Sequence, residues 1–261
     1  YLLREKTNSW RNANTLTYEN KDLFDGRDRL NVLIGHEVSS SFKKSVENVS
    51  VAFPNTMNIS EIKANMGTGT ALPTQSTLGA KENMLSFFGR ANYTLMDRYL
   101  LTFTLRGDGS SKFGKGNQWG LFPSAALAWR ISDETFMESA KDWLSSLKLR
   151  LSFGTAGNNR INSGLLNTTY SLSGNDARYP AFGDAMSSML EHGTNLYNPD
   201  LKWETTVTRN LGIDYGFWNN RISGSIDLYW NTTKDLLMKT EIPSTTGYNY
   251  QYRNFGQTSN K

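Results

Sequence analysis

The run from Asp108 to Ser111 is the first place where residue types and spacing could support chemistry. Asp108 and Gly109 are followed by Ser110 and Ser111, which could suit a serine nucleophile or a calcium-binding loop. A serine nucleophile needs an adjacent base, and no histidine lies near this run in the sequence. Glycine and serine also favour turns, so we interpret the run as a strand exit followed by a turn.

The histidines and the acidic residues give no stronger catalytic signal. His36 and His192 are far apart in the sequence, and each is interpreted as a wall or loop residue. Asp214 and Asp227 alternate with apolar residues, whereas a glycosidase needs two carboxylates at a set separation. Residues 22–28 are rich in aspartate but lack the spacing and terminal glutamate of a calcium loop. We therefore predict no catalytic residue, no metal site and no cofactor, and no enzyme.

The composition excludes several protein classes. The chain has 261 residues and no cysteine, which excludes a disulfide scaffold and a cysteine zinc site. No run of about 18 apolar residues occurs, so no helix is predicted to cross a membrane. Seven Trp, 12 Tyr and 13 Phe give the chain enough to bury that disorder is not expected. A net charge of +4 is too small to indicate a nucleic-acid partner.

The elements that would position any site are strands, because apolar and polar residues alternate with a period of two. In the segment 99–108 the apolar residues alternate with polar ones: Tyr99, Leu101, Phe103 and Leu105 are apolar, and Thr102, Thr104 and Arg106 are polar. The same pattern predicts nine strands, at about 8–23, 28–40, 84–96, 98–109, 117–131, 146–157, 200–217, 220–233 and 251–261. Many exceed the usual 5–6 residues, and they reach the roughly 9–11 residues that cross a membrane. Short helical stretches are predicted at 133–144 and 58–66.

The connections alternate between short and long. Short turns are predicted at 24–27, 96–97 and 218–220, and long loops at 41–83, 158–199 and 234–250. This order places short turns at one end of a sheet and long loops at the other, as in outer-membrane barrels. Aromatic residues lie near the strand ends, where interfacial girdles occur: Tyr99, Trp129, Phe217, Trp218 and Trp230.

The length predicts part of a barrel rather than a whole one. Bacterial single-chain barrels have an even number of strands, and an open sheet would leave unpaired edges in lipid. Each predicted strand with its connection uses about 29 residues. Plugged transporter barrels have 22 strands, and at this rate such a barrel needs roughly 640 residues. The sequence begins with Tyr1, which agrees with a piece of a longer protein. The fold class is all-β, an antiparallel meander of long strands.

Several sequence motifs carry a resemblance to a known family. The residues are Leu105–Gly114, then 119–124 and 128–132, then 147–154 with Gly157 and Asn158, then 198–204, and finally 219–222 with 229–237. In this order they resemble the SusC/RagA family of TonB-linked outer-membrane transporters. The resemblance covers most of the chain and is densest from about residue 85 to 261.

The resemblance implies a 22-stranded transmembrane barrel with an N-terminal plug that is driven by the TonB complex. Residues 1–261 would be a partial barrel, without the plug, the TonB box and the remaining strands. The implied function is the import of nutrients, most often oligosaccharides. The implied partner is a SusD-like surface lipoprotein. The implied location is the outer membrane of a Gram-negative, Bacteroidota-type bacterium.

Three alternatives remain open from the sequence. The chain could belong to a peptide-importing member of the same family. It could instead be a soluble glycan-binding β-sandwich module, which would stay in the aqueous fraction after lysis. An outer-membrane barrel enzyme is the third, although no triad or carboxylate pair supports it.

The loop at 158–199 holds the candidate substrate contacts. Aromatic rings can stack on sugar faces, and Asn, Asp and Ser in this loop supply hydrogen-bond partners. The candidate residues for contact with substrate or with the lid lipoprotein are Tyr170, Tyr179, Phe182 and Tyr197. The alternative is that these rings only pack within the loop.

Overall fold

A computed structural model describes residues 1–24, 26–166, 170–172, 179–182, 185–187 and 190–261. Within these ranges the chain is built almost wholly of strands. In chain order they are β1 Leu2–Leu23, β2 Asp28–Asn48, β3 Ser50–Val51, β4 Thr70–Ala71, β5 Gln75–Leu78, β6 Glu82–Leu95, β7 Tyr99–Ser110, β8 Trp119–Arg130, β9 Leu144–Asn158, β10 Tyr170–Leu172, β11 Tyr179–Phe182, β12 Ala185–Ser187, β13 Leu190–His192, β14 Asn195–Leu196, β15 Glu204–Phe217, β16 Ile222–Lys234, β17 Leu237–Glu241, β18 Tyr250–Asn254 and β19 Gln257–Asn260.

The long strands form one antiparallel meander. Their order is β1-β2-β6-β7-β8-β9-β15-β16-β19, and β5 pairs with the far end of β2. The register between β1 and β2 runs without a break from Leu2 opposite Asn48 to Asn20 opposite Leu30. The sheet places neighbours in sequence beside one another, which confirms the predicted all-β meander of long strands.

Eight of the nine predicted strands are confirmed, and the ninth is wrong in part. The segment 251–261 divides into β18, which joins a loop sheet, and β19, which pairs with β16. Gly256 separates them with φ +75°, a left-handed conformation that breaks strand geometry. The first strand begins at Leu2, six residues before its predicted start.

The predicted helical stretches are both found in shorter form. An α-helix, α1, spans Ile59–Ala64, where Asn58 and Glu61 form a reciprocal capping box. The stretch predicted at 133–144 instead forms 3₁₀ turns at Ile131–Asp133 and Thr135–Ala140. Further 3₁₀ turns span Met66–Thr68 and Ser244–Thr246.

The short turns lie together at one end of the sheet. The β6–β7 turn places Met96 and Asp97 at φ +50° and +57°, the two positive values that a type I′ hairpin turn needs. The β15–β16 turn likewise holds Trp218, Asn219 and Asn220 at positive φ. In the β1–β2 turn, Asp25 of the predicted Asp-Gly pair lies outside the described residues. The loops at the other end are long, as predicted.

The two faces of the sheet differ sharply in polarity. Directly opposed residues in a ladder share a face. Because the apolar residues of each strand are opposite those of the next, they all lie on the same face of the sheet. On β7, Leu101 and Phe103 point outward and are 43% and 53% exposed, whereas Thr102 and Thr104 face the other side. An apolar depression of about 750 Å³ on the outward face is lined by Leu101, Phe103, Leu127, Leu151 and Phe153 among others. A face of this kind is typical of a sheet in contact with lipid.

Aromatic side chains mark both borders of this apolar face. At the short-turn end, Tyr99 stacks on Trp129 with ring centroids 6.2 Å apart, and Trp143 stacks on Phe217 at 5.9 Å. At the loop end, Phe87 stacks on Trp119 at 6.3 Å. The same two-level arrangement occurs on β1, where Tyr18 and Trp10 are both exposed. These pairs have the spacing of the two aromatic girdles of a membrane barrel.

Glu134 fastens the turn between β8 and β9. Its carboxylate accepts hydrogen bonds from the Tyr99 hydroxyl at 2.6 Å, the Trp129 indole at 3.0 Å and the Arg98 guanidinium at 2.8 Å. The hydrogen bond from Tyr99 is the main cause of a lowered pKa for Glu134, followed by the bond from Trp129. Burial opposes this shift, and Arg98 adds to it. The turn is thereby tied to the aromatic girdle beside it.

The hydrophobic core of the described chain lies at the loop end rather than within the sheet. It contains the buried residues Phe113, Phe122, Ile161, Leu165, Leu201 and Trp203. We call this set the loop core. Trp203 packs against Phe113 and Phe122 with centroids 5.2 and 5.5 Å apart, and its indole N–H bonds the Gln118 carbonyl at 3.0 Å. A side chain at Gly120 or Gly157 would run into the Phe122 ring, so both glycines are required for this packing.

We predict that Glu134→Gln lowers the melting temperature of the receptor that contains this chain. A glutamine amide cannot satisfy three donors that now converge on two carboxylate oxygens. The folded-state pKa lies below the ordinary 4.5, so the stabilisation is fully present above pH 4.5 and fades as pH falls through the folded pKa. When melting temperatures are measured across pH, wild type and Glu134→Gln should therefore approach the same value only at acidic pH. Glu138→Gln, whose carboxylate is exposed in the same turn, should match wild type, and equal losses in both variants would contradict the prediction.

We predict that Gly157→Ala loosens the loop core without unfolding the sheet. The new methyl group displaces Phe122, and overpacking of this kind costs about 1–3 kcal/mol. Limited proteolysis should cut the long loops faster, while heat-modifiable migration of the barrel persists. Gly67→Ala, where the added methyl meets open space, is the matched control. Combining Gly157→Ala with Phe122→Leu should restore resistance, and failure to do so would count against the contact.

Candidate functional site

The long loops form a second layer of structure at one end of the sheet. In this layer β14, β18 and β17 make a three-stranded sheet, with β14 and β18 parallel. The loop core lies beneath it, since Tyr252 of β18 packs against the core. Asn198 ties the layers together, because its side-chain amide donates to the Tyr252 carbonyl at 2.8 Å. The described residues of these loops therefore pack together above the loop core.

Two of these loops meet in a group of aromatic side chains that we call the loop aromatic cluster: Tyr170, His192, Tyr248 and Tyr250. The His192 and Tyr248 rings lie 4.4 Å apart, and Tyr170 is directly opposite His192 in the β10–β13 pair. The ammonium of Lys239 lies 3.8 Å from the centre of the Tyr250 ring, a cation–π contact. The cluster thus presents ring faces, an imidazole and a cation together.

The structure places the four candidate residues from the sequence differently. Tyr170 is 66% exposed and belongs to the cluster. Tyr197 is 41% exposed, and its carbonyl accepts a hydrogen bond from Gln251 at 3.2 Å, next to Tyr250 in β18. Tyr179 and Phe182 lie in β11, which pairs with β12, but their side chains lie outside the described part of the structure.

The sequence analysis missed the partners contributed by the other loop. From the sequence, 234–250 is predicted to be a plain connection and His192 an isolated residue, whereas in the structure His192 contacts Tyr248. The alternation of Tyr248, Tyr250 and Tyr252 was the available signal, because three tyrosines at every second position indicate a strand face. His36 lies beside Phe87 in the sheet, whereas His192 lies in β13 of the loop layer.

The polar face of the sheet carries an ion-pair network across three strands. Arg150 of β9 donates to Asp214 of β15 at 2.7 and 2.9 Å, and reaches Asp227 of β16 at 3.1 Å. One guanidinium therefore links three neighbouring strands. Asp214 and Asp227 are held by the same cation, which leaves no free acid and base of the kind that glycoside cleavage requires.

The Asp108–Ser111 run has a structural role. Asp108 is buried and accepts from Arg106 at 2.9 Å, and Arg106 also donates to the buried Ser86 at 3.1 Å. Ser110 is 3% exposed, and its hydroxyl accepts from Asn159 at 3.3 Å. A buried hydroxyl with no adjacent base cannot act as a nucleophile. The interpretation as a strand end is confirmed, because β7 ends at Ser110.

Metal-binding clusters and membrane-spanning helices are both absent from the described ranges. There, no three His, Cys, Asp or Glu side chains come together as a metal site would require. In the same ranges no helix has both the length and the apolar character to span a bilayer.

The chain is similar to proteins of one family. The family model for TonB dependent receptor-like, beta-barrel proteins matches residues 3–261. The TonB-dependent receptor SusC of Bacteroides thetaiotaomicron is 44% identical over 188 residues, which covers 71% of this chain and 18% of SusC. A TonB-dependent receptor of Formosa agariphila is 32% identical over 265 residues, covering 98% of this chain and 25% of that receptor.

A solved structure agrees with the sequence relatives. The RagAB peptide transporter superimposes with a TM-score of 0.78 at 29% identity, over 98% of this chain and 27% of the transporter chain. The chain thus spans about a quarter or less of each curated relative named above. Its match over almost its whole length shows that the chain belongs to the TonB-dependent receptor β-barrel family, with SusC- and RagA-type receptors among its relatives.

Proposed function

We propose that residues 1–261 form part of the wall and outer loops of an outer-membrane nutrient importer. The observation that carries this proposal is the two-faced sheet, apolar outward and polar inward, with its longest loops at the end opposite the hairpin turns. In a closed barrel the polar face would line the passage, and the loops would meet substrate at the cell surface. The plug and the remaining strands would come from other parts of the receptor.

The passage wall is suited to release rather than to tight capture. Arg150 is already neutralised by Asp214 and Asp227, and Arg106 by Asp108. A passing solute therefore meets compensated charges at these two arginines, and no catalytic step is proposed. Movement would depend on energy delivered by the TonB complex to the plug, which is the partner interface expected N-terminal to this chain.

The loop aromatic cluster is the surface that we propose binds substrate. Tyrosine and histidine faces can stack on a sugar ring, and their polar atoms can bond hydroxyl groups. Oligosaccharides are therefore the proposed substrate class, with Tyr170 and Tyr197 as contacts from the first loop. Tyr179 and Phe182 remain predicted contacts from the same loop. A SusD-like lipoprotein would cover this end, in the outer membrane of a Bacteroidota-type bacterium.

The second candidate function is peptide import. It is supported by the 0.78 TM-score to the RagAB peptide transporter. In this case Lys239, whose ammonium lies over the Tyr250 ring, would receive a carboxylate of a peptide instead of a sugar hydroxyl. Competition of labelled uptake by neutral oligosaccharides or by acidic peptides separates the two candidates.

We predict that Tyr248→Ala and Tyr197→Ala each weaken substrate capture by the intact receptor. Loss of one aromatic stacking contact of about 0.5–1.5 kcal/mol lowers affinity about two- to tenfold. The measurement is binding and uptake of labelled oligosaccharides by cells in which a plasmid supplies the only copy of the receptor.

The control for this experiment is Phe255→Ala. Phe255 is 70% exposed and follows β18 in the same loop, outside the cluster. Its variant should bind and import like wild type. A loss as large as that of Tyr248→Ala, or unchanged binding in both cluster variants, would contradict a substrate surface at the cluster.

A further inference from the structure

One asparagine side chain joins the ends of the two long loops. The side-chain oxygen of Asn254 accepts from the Lys202 amide at 2.9 Å, and its nitrogen donates to the Lys202 carbonyl at 2.8 Å and to the Asp235 carbonyl at 2.9 Å. The Lys202 ammonium also pairs with the Asp235 carboxylate at 3.0 Å. We call Lys202, Asp235 and Asn254 the loop clasp. An asparagine amide has two N–H donors and one carbonyl acceptor, so both polar atoms of the Asn254 side chain are fully used.

The loop clasp lies where the β17–β18 hairpin leaves the main sheet. Asp235 and Gly256, which flank the hairpin, have left-handed φ values of +55° and +75°, so β16 and β19 do not continue into it as straight strands. A residue other than glycine keeps such a conformation only where its surroundings hold it, and Asp235 is held through both its carbonyl and its carboxylate. The direction of the hairpin therefore depends on the loop clasp as well as on the pairing of β18 with β14.

The same hairpin carries two rings of the loop aromatic cluster. Tyr250 is four residues from Asn254, which is about 13 Å along β18, and Tyr248 comes just before it in the chain. Here the hairpin contacts the first loop again, because the Thr194 carbonyl accepts from the Tyr250 amide at 3.3 Å and the His192 ring contacts Tyr248. The hairpin is thus attached to the first loop at its base and near its tip, and a rotation about the base would separate the rings of the two loops.

We propose that Asn254 is a positioning residue for substrate capture, which holds the rings of the two loops together as one binding surface. The proposal rests on the proposed function, because the loop aromatic cluster is the surface assigned there to substrate. Stacking depends on the distance and tilt of the rings, and a surface that is ordered before binding avoids the cost of ordering it during binding. Asn254 uses its hydrogen bonds on Lys202 and Asp235, so it acts through the arrangement of the loops and not through contact with substrate.

The first test measures the position of the hairpin without any substrate. This chain contains no cysteine, so nitroxide labels can be attached within it at Thr245→Cys, in the hairpin tip, and Lys115→Cys, in the β7–β8 turn, which are both exposed. In the intact receptor with Asn254 unchanged, double electron–electron resonance should give one narrow distance distribution between the labels. Asn254→Ala should broaden this distribution. Asn254→Asp should also broaden it, because an aspartate keeps the shape of the side chain but cannot donate to either carbonyl.

The second test measures uptake by cells that carry the intact receptor. The probe is a fluorescently labelled oligosaccharide fraction from a glycan on which the cells grow only when the receptor is present. Apparent affinity falls with the fraction of receptors in the competent arrangement, so a hairpin that is in place about one tenth of the time raises the half-saturation concentration about tenfold. The maximal uptake rate should stay at the wild-type value in both Asn254 variants, because saturating probe holds the rings together. Heat-modifiable migration checks that each barrel is folded, and Asn254→Asp, which conserves volume, carries the test should Asn254→Ala misfold.

The matched control is Arg253→Ala. Arg253 is exposed and lies next to Asn254 on the opposite face of β18, where its guanidinium bonds the Gln251 side chain. The control therefore removes a hydrogen bond from the same strand without changing the loop clasp, and it should keep both the narrow distance distribution and the wild-type half-saturation concentration.

The outcomes separate this proposal from the proposed function. A narrow distribution in both Asn254 variants, or an unchanged half-saturation concentration in them while Tyr248→Ala raises it, would overturn the positioning role alone. Equal losses in Arg253→Ala would overturn it too. An unchanged half-saturation concentration in Tyr248→Ala would overturn the substrate surface at the cluster, and the positioning role with it.

Discussion

The unbroken antiparallel register is the constraint on which the rest of the structure depends. Because side chains alternate at every residue, a slip of one position would exchange the apolar and polar faces of a strand. In the main sheet the irregularities lie at the short-turn end, between Asn20 and Leu23 and between Gly216 and Phe217. Elsewhere in each ladder no residue is inserted or skipped, so every strand directs its leucine and phenylalanine side chains to the same face. The constant register therefore produces both an apolar face suited to membrane contact and a polar face suited to a passage.

A sheet of this kind cannot stabilise its own loops, because its apolar face is turned away from them. The loop core supplies that missing stability with Leu201 and Trp203, which enter just before β15 begins. Glu204 then accepts hydrogen bonds from Asn158 at 2.9 Å and from the Leu237 amide at 2.9 Å, so that the start of β15 holds both long loops. The aromatic surface at the mouth rests on this junction. The segment 198–204 that carried the family resemblance is thus a structural connection between wall and loops.

The period-two alternation predicted the main strands because it reports burial on one side of a long element. It could not predict strands of two to five residues such as β14 and β17, since such strands have too few residues to show a period. The loop core was equally hidden, because Phe113 and Leu201 are isolated apolar residues in the sequence and only the fold brings them together. The candidates Tyr170 and Tyr197 came from composition alone. Their neighbours His192 and Tyr248 required the pairing of β10 with β13 and the approach of a second loop.

The distribution of cations over the two faces follows from the medium that each face meets. On the polar face a cation can be placed next to an acid, as Arg150 is, and the pair serves to join strands. On the apolar face an acid would be as costly as the cation, so a positive residue is tolerated only where it reaches water or headgroups. Arg209 faces outward opposite Trp230 of β16 and lines the apolar depression, so it meets this rule only by extending its long side chain toward the interface. A cation on the lipid face costs about 2–4 kcal/mol at the bilayer midplane but about 0–1 kcal/mol near the interface.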